Sequence, residues 1–267
     1  MREIKGKKNL VVGIDIEFDF IDPEGGLPVP GAPIGVSNFA EFLIKNKNDI
    51  TDIALTVDDH YPTHIGLAGA WWKGDHEEID QSELPLVITR ADVLEGKYAP
   101  RYLSKDYVLD YLQKIEAQGG QHYVWPDHCL RGSSGQAFPG ELLYALREWT
   151  AANEGRHYSL IRKGYVDTAE MYSAFSYADG SCPEFCEEIL NAIADEDYDN
   201  IFIAGFAKDF CVRSTLQDIR KDDRFYGKLI LLDDCMASID PDSEIVEEVW
   251  EDLVENFGAE IWKTKGQ

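Results

Sequence analysis

Cys211 occupies a position where a thiol could act as a nucleophile. Residues 201–204 form a short apolar run typical of a strand buried on both faces, and Gly205 is expected to end it. From Cys211 to Arg220 the apolar residues recur at helical spacing, which predicts an amphipathic helix. The first turn of a helix favours the thiolate, which is the nucleophilic form. The alternative is a small buried side chain without chemistry, as most single cysteines are.

Polar groups follow three other predicted strands and could meet this thiol. They are Asp15 after residues 10–14, Asp58 and His60 after residues 53–57, and Lys163 after residues 158–161. Because ligands bind at the carboxyl ends of the strands in an open α/β sheet, we expect these groups to converge there. A thiolate, a carboxylate and an ammonium suit acyl transfer, with the carboxylate moving protons and the ammonium favouring both anions. Structural ion pairs at strand ends are the alternative.

The elements that would position these groups alternate along the chain. Further strands are predicted at 228–232, with Asp233 and Asp234 at its end, and at 260–263; residues 85–88 are either a short strand or an extended segment. Helices are predicted at 36–44, 106–117, 140–149, 183–194 and 243–256. This alternation predicts an α/β protein with three α/β/α layers and a mainly parallel central sheet. We expect one domain over residues 1–267, with an elaborated insertion at about 65–123 that serves as a lid or an interface.

Charge and cysteine content indicate which binding partners and which cellular compartment to expect. With 25 basic and 50 acidic residues the formal charge is −25, which repels nucleic-acid phosphates and anionic lipid, so neither partner is expected. Five sparse cysteines indicate reduced thiols and a cytoplasmic protein. Residues 1–9 lack the apolar core of a signal peptide, and no apolar run approaches a membrane span of about 18 residues.

Several motifs, in this order along the chain, carry a family resemblance. They are Val-Gly-Ile-Asp-Ile-Glu-Phe-Asp-Phe at 12–20, Trp-Pro-Asp-His-Cys at 125–129, Lys-Gly at 163–164, Tyr-Ser-Ala-Phe at 172–175, and Gly-Phe-Ala-Lys-Asp-Phe-Cys-Val at 205–212. Together they resemble the isochorismatase-like cysteine hydrolases and, within that family, the nicotinamidases. The resemblance implies the isochorismatase-like hydrolase fold and the conversion of nicotinamide to nicotinate and ammonia through a thioester.

The resemblance also implies a catalytic triad. In it Cys211 is the nucleophile, Asp15 is the general base and acid, and Lys163 gives electrostatic support. A cis peptide bond before Ala207 is implied as well, and it would aim the amides of Ala207 and Cys211 at the oxyanion. The alternatives are a helix or turn cap for Asp15 and a surface ion pair for Lys163.

A divalent metal site is implied at Asp58, His60 and His128. Two imidazoles and one carboxylate with open positions suit Zn²⁺ first, with Fe²⁺ or Mn²⁺ as alternatives. A polar pocket without metal is the other interpretation. His64 is expected outside the ligand set, supporting a ligand or lying at the surface. Cys182 and Cys186 have no partner pair, so no zinc site is expected there.

The aromatic residues Phe20, Trp125 and Tyr172 match family positions that pack around the pyridine ring, although each could be plain core. The chain departs from the family pattern at Glu17-Phe18, where Gln-Asn is usual, and at Lys208-Asp209, where Thr-Asp is usual. A charged Glu17 would favour a different substrate. The competing hypotheses are an amidohydrolase for another small amide or carbamoyl compound, and a catalytically silent binding protein on the same fold. Family members often assemble, so a homo-oligomer is one expectation.

Overall fold

A computed structural model describes residues 3–242 and 245–265, and short strands alternate with helices through most of this range. The strands are β1 (Asn9–Ile14), β2 (Asp52–Asp58), β3 (Trp71–Lys73), β4 (Leu86–Val87), β5 (Tyr98–Pro100), β6 (Tyr123–Val124), β7 (Ser159–Lys163), β8 (Asn200–Phe206), β9 (Leu229–Ala237) and β10 (Glu260–Trp262). Six of them form one sheet in the order β10-β9-β8-β1-β2-β7, and every neighbouring pair is parallel. The predicted parallel sheet is therefore confirmed.

The helices cover both faces of this sheet. They are α1 (Phe18–Ile21), α2 (Ala32–Asn46), α3 (Arg90–Glu95), α4 (Lys105–Ala117), α5 (Gly140–Ala152), α6 (Glu184–Asp195), α7 (Arg213–Ile219) and α8 (Ile245–Phe257). Val11 of β1 belongs to a core cluster with residues of α2 and α5, whereas Leu10 and Val12 belong to a cluster with residues of α7 and α8. Because successive side chains of a strand point to opposite faces, these two clusters are the two layers between sheet and helices. The chain thus has the predicted three-layer α/β/α architecture.

Residues 65–123 carry a third hydrophobic cluster of their own. It gathers Trp71, Val93, Tyr98 and Tyr111 with other side chains of this region and with two buried residues beyond it, Val124 and Ala169. Two antiparallel pairs, β3 with β5 and β4 with β6, lie in or at the end of this segment. The expected single domain with an elaborated insertion, and the role of that insertion, stay predictions.

Three sequence predictions about local structure were wrong. Gly205 does not end β8, which continues to Phe206; a side chain at Gly205, where φ is +121°, would lie 2.0 Å from the Ile14 oxygen, so glycine lets β8 stay against β1. Asp233 does not end β9 either, since Met236 and Ala237 pair with the end of β8 after a register shift.

The third error concerns the turn that holds the nucleophile candidate. Cys211 lies in a π-helical turn at Lys208–Val212, and the α-helix begins only at Arg213. The predicted start of the last helix at Ser243 lies outside the described residues. Within 3–242 and 245–265, none of the helices has the length and apolar character needed to cross a membrane.

Candidate active site

A buried lysine joins two carboxylates where three neighbouring strands end. Asp15 follows β1, while Asp58 and Lys163 are the last residues of β2 and β7. The Lys163 Nζ lies 2.9 Å from Asp15 Oδ2 and 3.1 Å from Asp58 Oδ1, and all three side chains are buried. Thr56 on β2 donates a 2.6 Å hydrogen bond to Asp15 Oδ1, which fixes that carboxylate. Burial lowers the pKa of Lys163, but the two adjacent carboxylates outweigh it and raise that pKa well above its usual range.

The fourth strand end brings the Cys211 thiol to the same place. The thiol is buried and interacts with both Asp15 and Lys163. Burial raises the pKa of the Cys211 thiol, the Lys163 charge lowers it, and the neighbouring carboxylates raise it again, so its pKa lies well above the usual range. Burial likewise raises the pKa of Asp15 despite the adjacent ammonium. The structure therefore brings Asp15, Lys163 and Cys211 together, with a carboxylate placed to take the thiol proton.

The peptide bond between Phe206 and Ala207 is cis, as the resemblance implied. Ala207 and Cys211 both line the small pocket that contains the thiol. Their proposed role as oxyanion donors stays a prediction.

Asp58, His60 and His128 form a buried group beside the triad. Asp58 Oδ2 lies 3.1 Å from His60 Nε2 and 3.7 Å from His128 Nε2, and the three candidate ligand atoms all lie within 4.8 Å of one another. The other ring nitrogens face backbone carbonyls, with Nδ1 of His60 3.1 Å from the Gly164 oxygen and Nδ1 of His128 2.8 Å from the Pro126 oxygen. These carbonyls hold a proton on each Nδ1 and leave each Nε2 as a lone-pair donor. The donor set therefore fits a divalent metal ion.

His64 is fully buried, so a surface role for it is wrong. Its ring lies 4.3 Å from that of His60, centroid to centroid. The His64 Nδ1 accepts the Gly66 N–H and its Nε2 lies 3.2 Å from the Ala169 oxygen, so both nitrogens are engaged by backbone. Burial lowers the pKa of His64 well below its usual range. His64 is thus a neutral ring that packs against His60, with both of its nitrogens already engaged by the backbone.

The pocket beside the thiol has an aromatic lining. Phe20, Trp125 and Tyr172, the three rings predicted from the sequence, all line it. The Trp125 indole donates a 3.1 Å hydrogen bond to the Tyr172 hydroxyl, and the Phe20 ring meets the His128 ring edge-on at 5.4 Å. A flat ring beside Cys211 would be enclosed by these side chains.

Sequence reasoning missed four residues that also line this pocket, namely Leu27, Glu170, Phe210 and Ile239. Phe210 meets the Trp125 ring nearly at a right angle, with centroids 4.9 Å apart. Glu170 is buried and accepts the Met171 N–H at 2.7 Å, and burial raises its pKa. Its position, two residues before the Tyr-Ser-Ala-Phe motif, was the one signal in the sequence that could have drawn attention to it.

The two departures from the family pattern have structural roles. Glu17 is fully buried, and its Oε2 accepts the Asp58 N–H at 2.8 Å. Burial and the nearby carboxylates raise the pKa of Glu17 well above its usual range, which favours a neutral acid with the hydrogen-bonding capacity of the usual glutamine. Lys208, where threonine is usual, pairs with Asp233 at 2.6 Å. Asp209, which matches the family pattern, accepts the N–H groups of Ile239 and Asp240, and so holds the segment from which Ile239 enters the pocket.

Other residues that could bind a metal ion lie next to the first group. No zinc site was expected at Cys182 and Cys186. Across the part of the chain that the structure describes, the groups that could hold a metal are Asp58-His60-His128 and His60-His64-Glu170, and neither includes a cysteine. The second group shares His60 with the first, and its His64 nitrogens are already engaged.

Comparisons with known proteins point in one direction. No family model matches the chain. A nicotinamidase of Saccharomyces cerevisiae is 24% identical over 247 residues, covering 92% of this chain and 95% of the relative, and a nicotinamidase of Acinetobacter baylyi is 29% identical over 140 residues, covering 52% and 58%. The chain is therefore similar to nicotinamidases, in one case over most of its length.

Solved structures share the α/β fold of this chain. A nicotinamidase/pyrazinamidase of Acinetobacter baumanii superposes with a TM-score of 0.66 at 21% identity, covering 97% of this chain and 98% of that one. A pyrazinamidase of Pyrococcus horikoshii, solved in complex with zinc, gives a TM-score of 0.56 at 20% identity, with 96% and 99% covered. At these identities the superpositions establish the shared fold alone.

Proposed function

We propose that this isochorismatase-like protein is a cysteine amidohydrolase that converts nicotinamide to nicotinate and ammonia. The observation that carries the proposal is the convergence of Cys211, Asp15 and Lys163 beside an aromatic pocket and a metal-ligand set. The relatives are nicotinamidases, which supports an amide of this kind as the substrate. Such an enzyme belongs to NAD metabolism, where it salvages the pyridine ring.

The first half of the reaction forms a thioester. Asp15 takes the proton from the Cys211 sulfur, and the thiolate attacks the amide carbon. Lys163 stays protonated beside Asp15 and balances the negative charge that the carboxylate and the thiolate share. Donation by the Ala207 and Cys211 amides would stabilise the oxyanion. Asp15 then returns the proton to the nitrogen, the carbon–nitrogen bond breaks, and ammonia leaves.

The second half releases the acid. Asp15, again a carboxylate, takes a proton from a water molecule, whose oxygen attacks the thioester carbon. The carbon–sulfur bond breaks, and the thiolate regains a proton from Asp15. The sum is one amide and one water consumed, with one carboxylic acid and one ammonia formed.

Asp58, His60 and His128 would hold a divalent metal ion, which we propose to be Zn²⁺. A neighbouring fold member was solved with zinc, and the two-imidazole, one-carboxylate set with open positions suits that ion. Such a cation supplies a Lewis-acid contact for the pyridine nitrogen and polarises water. The rings of Phe20, Trp125 and Tyr172 would pack on the pyridine faces and edges.

The decisive experiment is ammonia release from nicotinamide by the purified protein. We expect turnover in the wild type and loss of at least about 10³-fold in Cys211→Ala, because Cys211 is the cysteine that lines the pocket. Cys186→Ala, which alters a buried cysteine on α6, is the matched control and should keep its rate. A full rate in Cys211→Ala would remove the thiol from the mechanism, and turnover of carbamoyl compounds alone would assign a different substrate.

We also propose a cytoplasmic location, since all five cysteines are free thiols in this structure. A homo-oligomer remains our expectation for the assembly, and sedimentation of the purified protein would test it.

A further inference from the structure

A second, larger cavity lies behind the wall of the catalytic pocket. Its volume is about 540 Å³, and it is bordered by the segment after α4, by the loop at 172–180 and by the outer face of α7. Tyr172 and Phe210 line both this cavity and the catalytic pocket. Small-molecule sites typically have volumes of about 300–1,000 Å³. The proposed reaction makes no use of this cavity.

Arg213, on the wall of the cavity, forms no close ion pair with a carboxylate of the described residues. Asp209 acts on its guanidinium from beyond 4.0 Å and already accepts two backbone N–H groups, and the Arg213 Nε is buried without a hydrogen-bond partner. Burial lowers the pKa of Arg213, which marks partial removal from water. The chain has 50 acidic and 25 basic residues, so there are enough carboxylates to pair with every basic side chain. A half-buried guanidinium that stays without one is stabilised when an anion binds to it.

The acid on the same wall, Asp218, already has hydrogen-bond and ion-pair partners. Asp218 Oδ2 accepts the hydroxyls of Ser173 at 2.5 Å and Ser176 at 2.6 Å. The Asp218 Oδ1 accepts Lys221 Nζ at 2.7 Å. Uncharged polar side chains complete the rim, namely Gln118, Gln121, Ser214 and Gln217.

Aromatic rings form the rest of the cavity lining. Tyr123, Tyr172, Tyr177 and Phe210 all contribute to it. The rings of Tyr123 and Phe210 meet at 89° with centroids 5.3 Å apart, so they form two walls of a corner. Such a corner can take a flat ring against one face and its edge against the other.

We propose that this cavity binds a small anion that carries a flat ring, with the acid group on Arg213 and the ring in the aromatic corner. Two sources share that chemistry. One is an aromatic carboxylate such as nicotinate, and the other is a nucleoside monophosphate such as AMP. The site is separate from the catalytic pocket, and its existence does not depend on the proposed reaction.

Calorimetric titration of the full chain tests the proposal with three probes: AMP, nicotinate and inorganic phosphate. We expect AMP or nicotinate to bind, and Arg213→Gln to weaken that binding by at least about tenfold, as removal of one charge-assisted contact does. Gln217→Glu places a carboxylate on the exposed rim at nearly constant volume, and it should weaken binding as well. Arg220→Gln is the matched control, because it removes the same charge from the residue that follows α7, where Arg220 pairs with Asp252 outside the cavity.

The titrations distinguish binding in the cavity from binding in the catalytic pocket. Nicotinate could bind to both, so the expected result for Arg213→Gln is loss of one binding event, with any event at the catalytic pocket preserved. Binding that is equal in wild type, Arg213→Gln and Gln217→Glu would overturn the proposal, as would no heat from any probe at about 1 mM. Phosphate alone binding as tightly as AMP would overturn the role of the aromatic corner. Because titration measures binding without turnover, an inactive protein would still test this site.

Discussion

The proposed catalytic pocket and the larger cavity share a wall, but they differ in whether their buried cations are paired with carboxylates. Beside the pocket, the ammonium of Lys163 lies between two buried carboxylates, 2.9 Å from that of Asp15 and 3.1 Å from that of Asp58. In the cavity, no carboxylate of the described residues lies within 4.0 Å of the Arg213 guanidinium, and Asp209 acts on it only from a greater distance. Cys211 and Arg213 are two positions apart in the sequence, yet Cys211 lines the pocket and Arg213 lines the cavity. If both proposals hold, burial and pairing, more than residue type, decide whether a charged group supports bond making or binds a ligand.

Removing the central cation of the pocket should have the largest effect. Lys163→Met leaves Asp15 and Asp58 buried without compensation, so we expect the free energy of unfolding to fall by about 3–5 kcal/mol. Ammonia release should fall by at least about 10²-fold, because the ammonium no longer balances the anions of the transition state. Denaturant unfolding and a rate assay measure the two effects. Lys208→Met, which breaks a partly exposed pair with Asp233, should cost at most about 1 kcal/mol. Equal losses of stability in the two variants would show that the buried ion pairs of Lys163 contribute no more than the partly exposed pair of Lys208.

Metal content is the next test of the pocket. His128→Ala removes one imidazole from the candidate ligand set, so the bound divalent metal per chain should fall from about one to near zero. Elemental analysis of the purified protein gives the number without any activity assay. The exposed His157 offers the matched control, since His157→Ala should keep the metal. Equal metal content in both variants would place the ion elsewhere.

The shared wall offers a test of both spaces at once. Phe210→Leu removes a ring that meets Trp125 in the pocket and Tyr123 in the cavity. An aromatic contact of this kind contributes about 1 kcal/mol, so we expect the KM for nicotinamide to rise roughly fivefold and ring-anion binding in the cavity to weaken by a similar factor. The exposed Tyr226 supplies a control in Tyr226→Leu. A change in only one of the two measurements would show that Phe210 serves one space alone.

The smallest effect lies far from both spaces and concerns acid stability. Asp234 accepts the N–H groups of Thr264 and Lys265; burial raises its pKa, but these hydrogen bonds outweigh it and lower the pKa below the usual 3.8. The carboxylate therefore contributes stability above pH 3.8 that is lost as the pH falls through the lower folded pKa. Asp234→Asn should cost about 1 kcal/mol at pH 7, and its difference from wild type should shrink below pH 3.8. A difference that stays constant from pH 7 to pH 2 in denaturant titrations would contradict this.

Much of the site could be predicted because its residues stand in recognisable local sequence patterns. Asp15, Asp58 and Lys163 end or follow apolar segments, and parallel strands end at one edge of a sheet, so their convergence follows from the pattern. Val212, Leu216 and Ile219 recur at helical spacing, and all three are buried as predicted. The family resemblance added the ligand set and the aromatic positions, which spacing alone could not single out.

Contacts between segments far apart in the chain were decided only by the folded molecule. Lys163 joins Asp15 and Asp58 across three strands, and Phe210 separates two spaces that no linear pattern reveals. Gly205 was predicted to end a strand, yet it continues that strand because the Ile14 backbone needs the room of a missing side chain. Periodicity along the chain determined which side chains are apolar on which face, since it reflects neighbours in the sequence. Distances, burial and the resulting pKa shifts depend on partners up to about 200 residues away, and only tertiary packing brings those partners together.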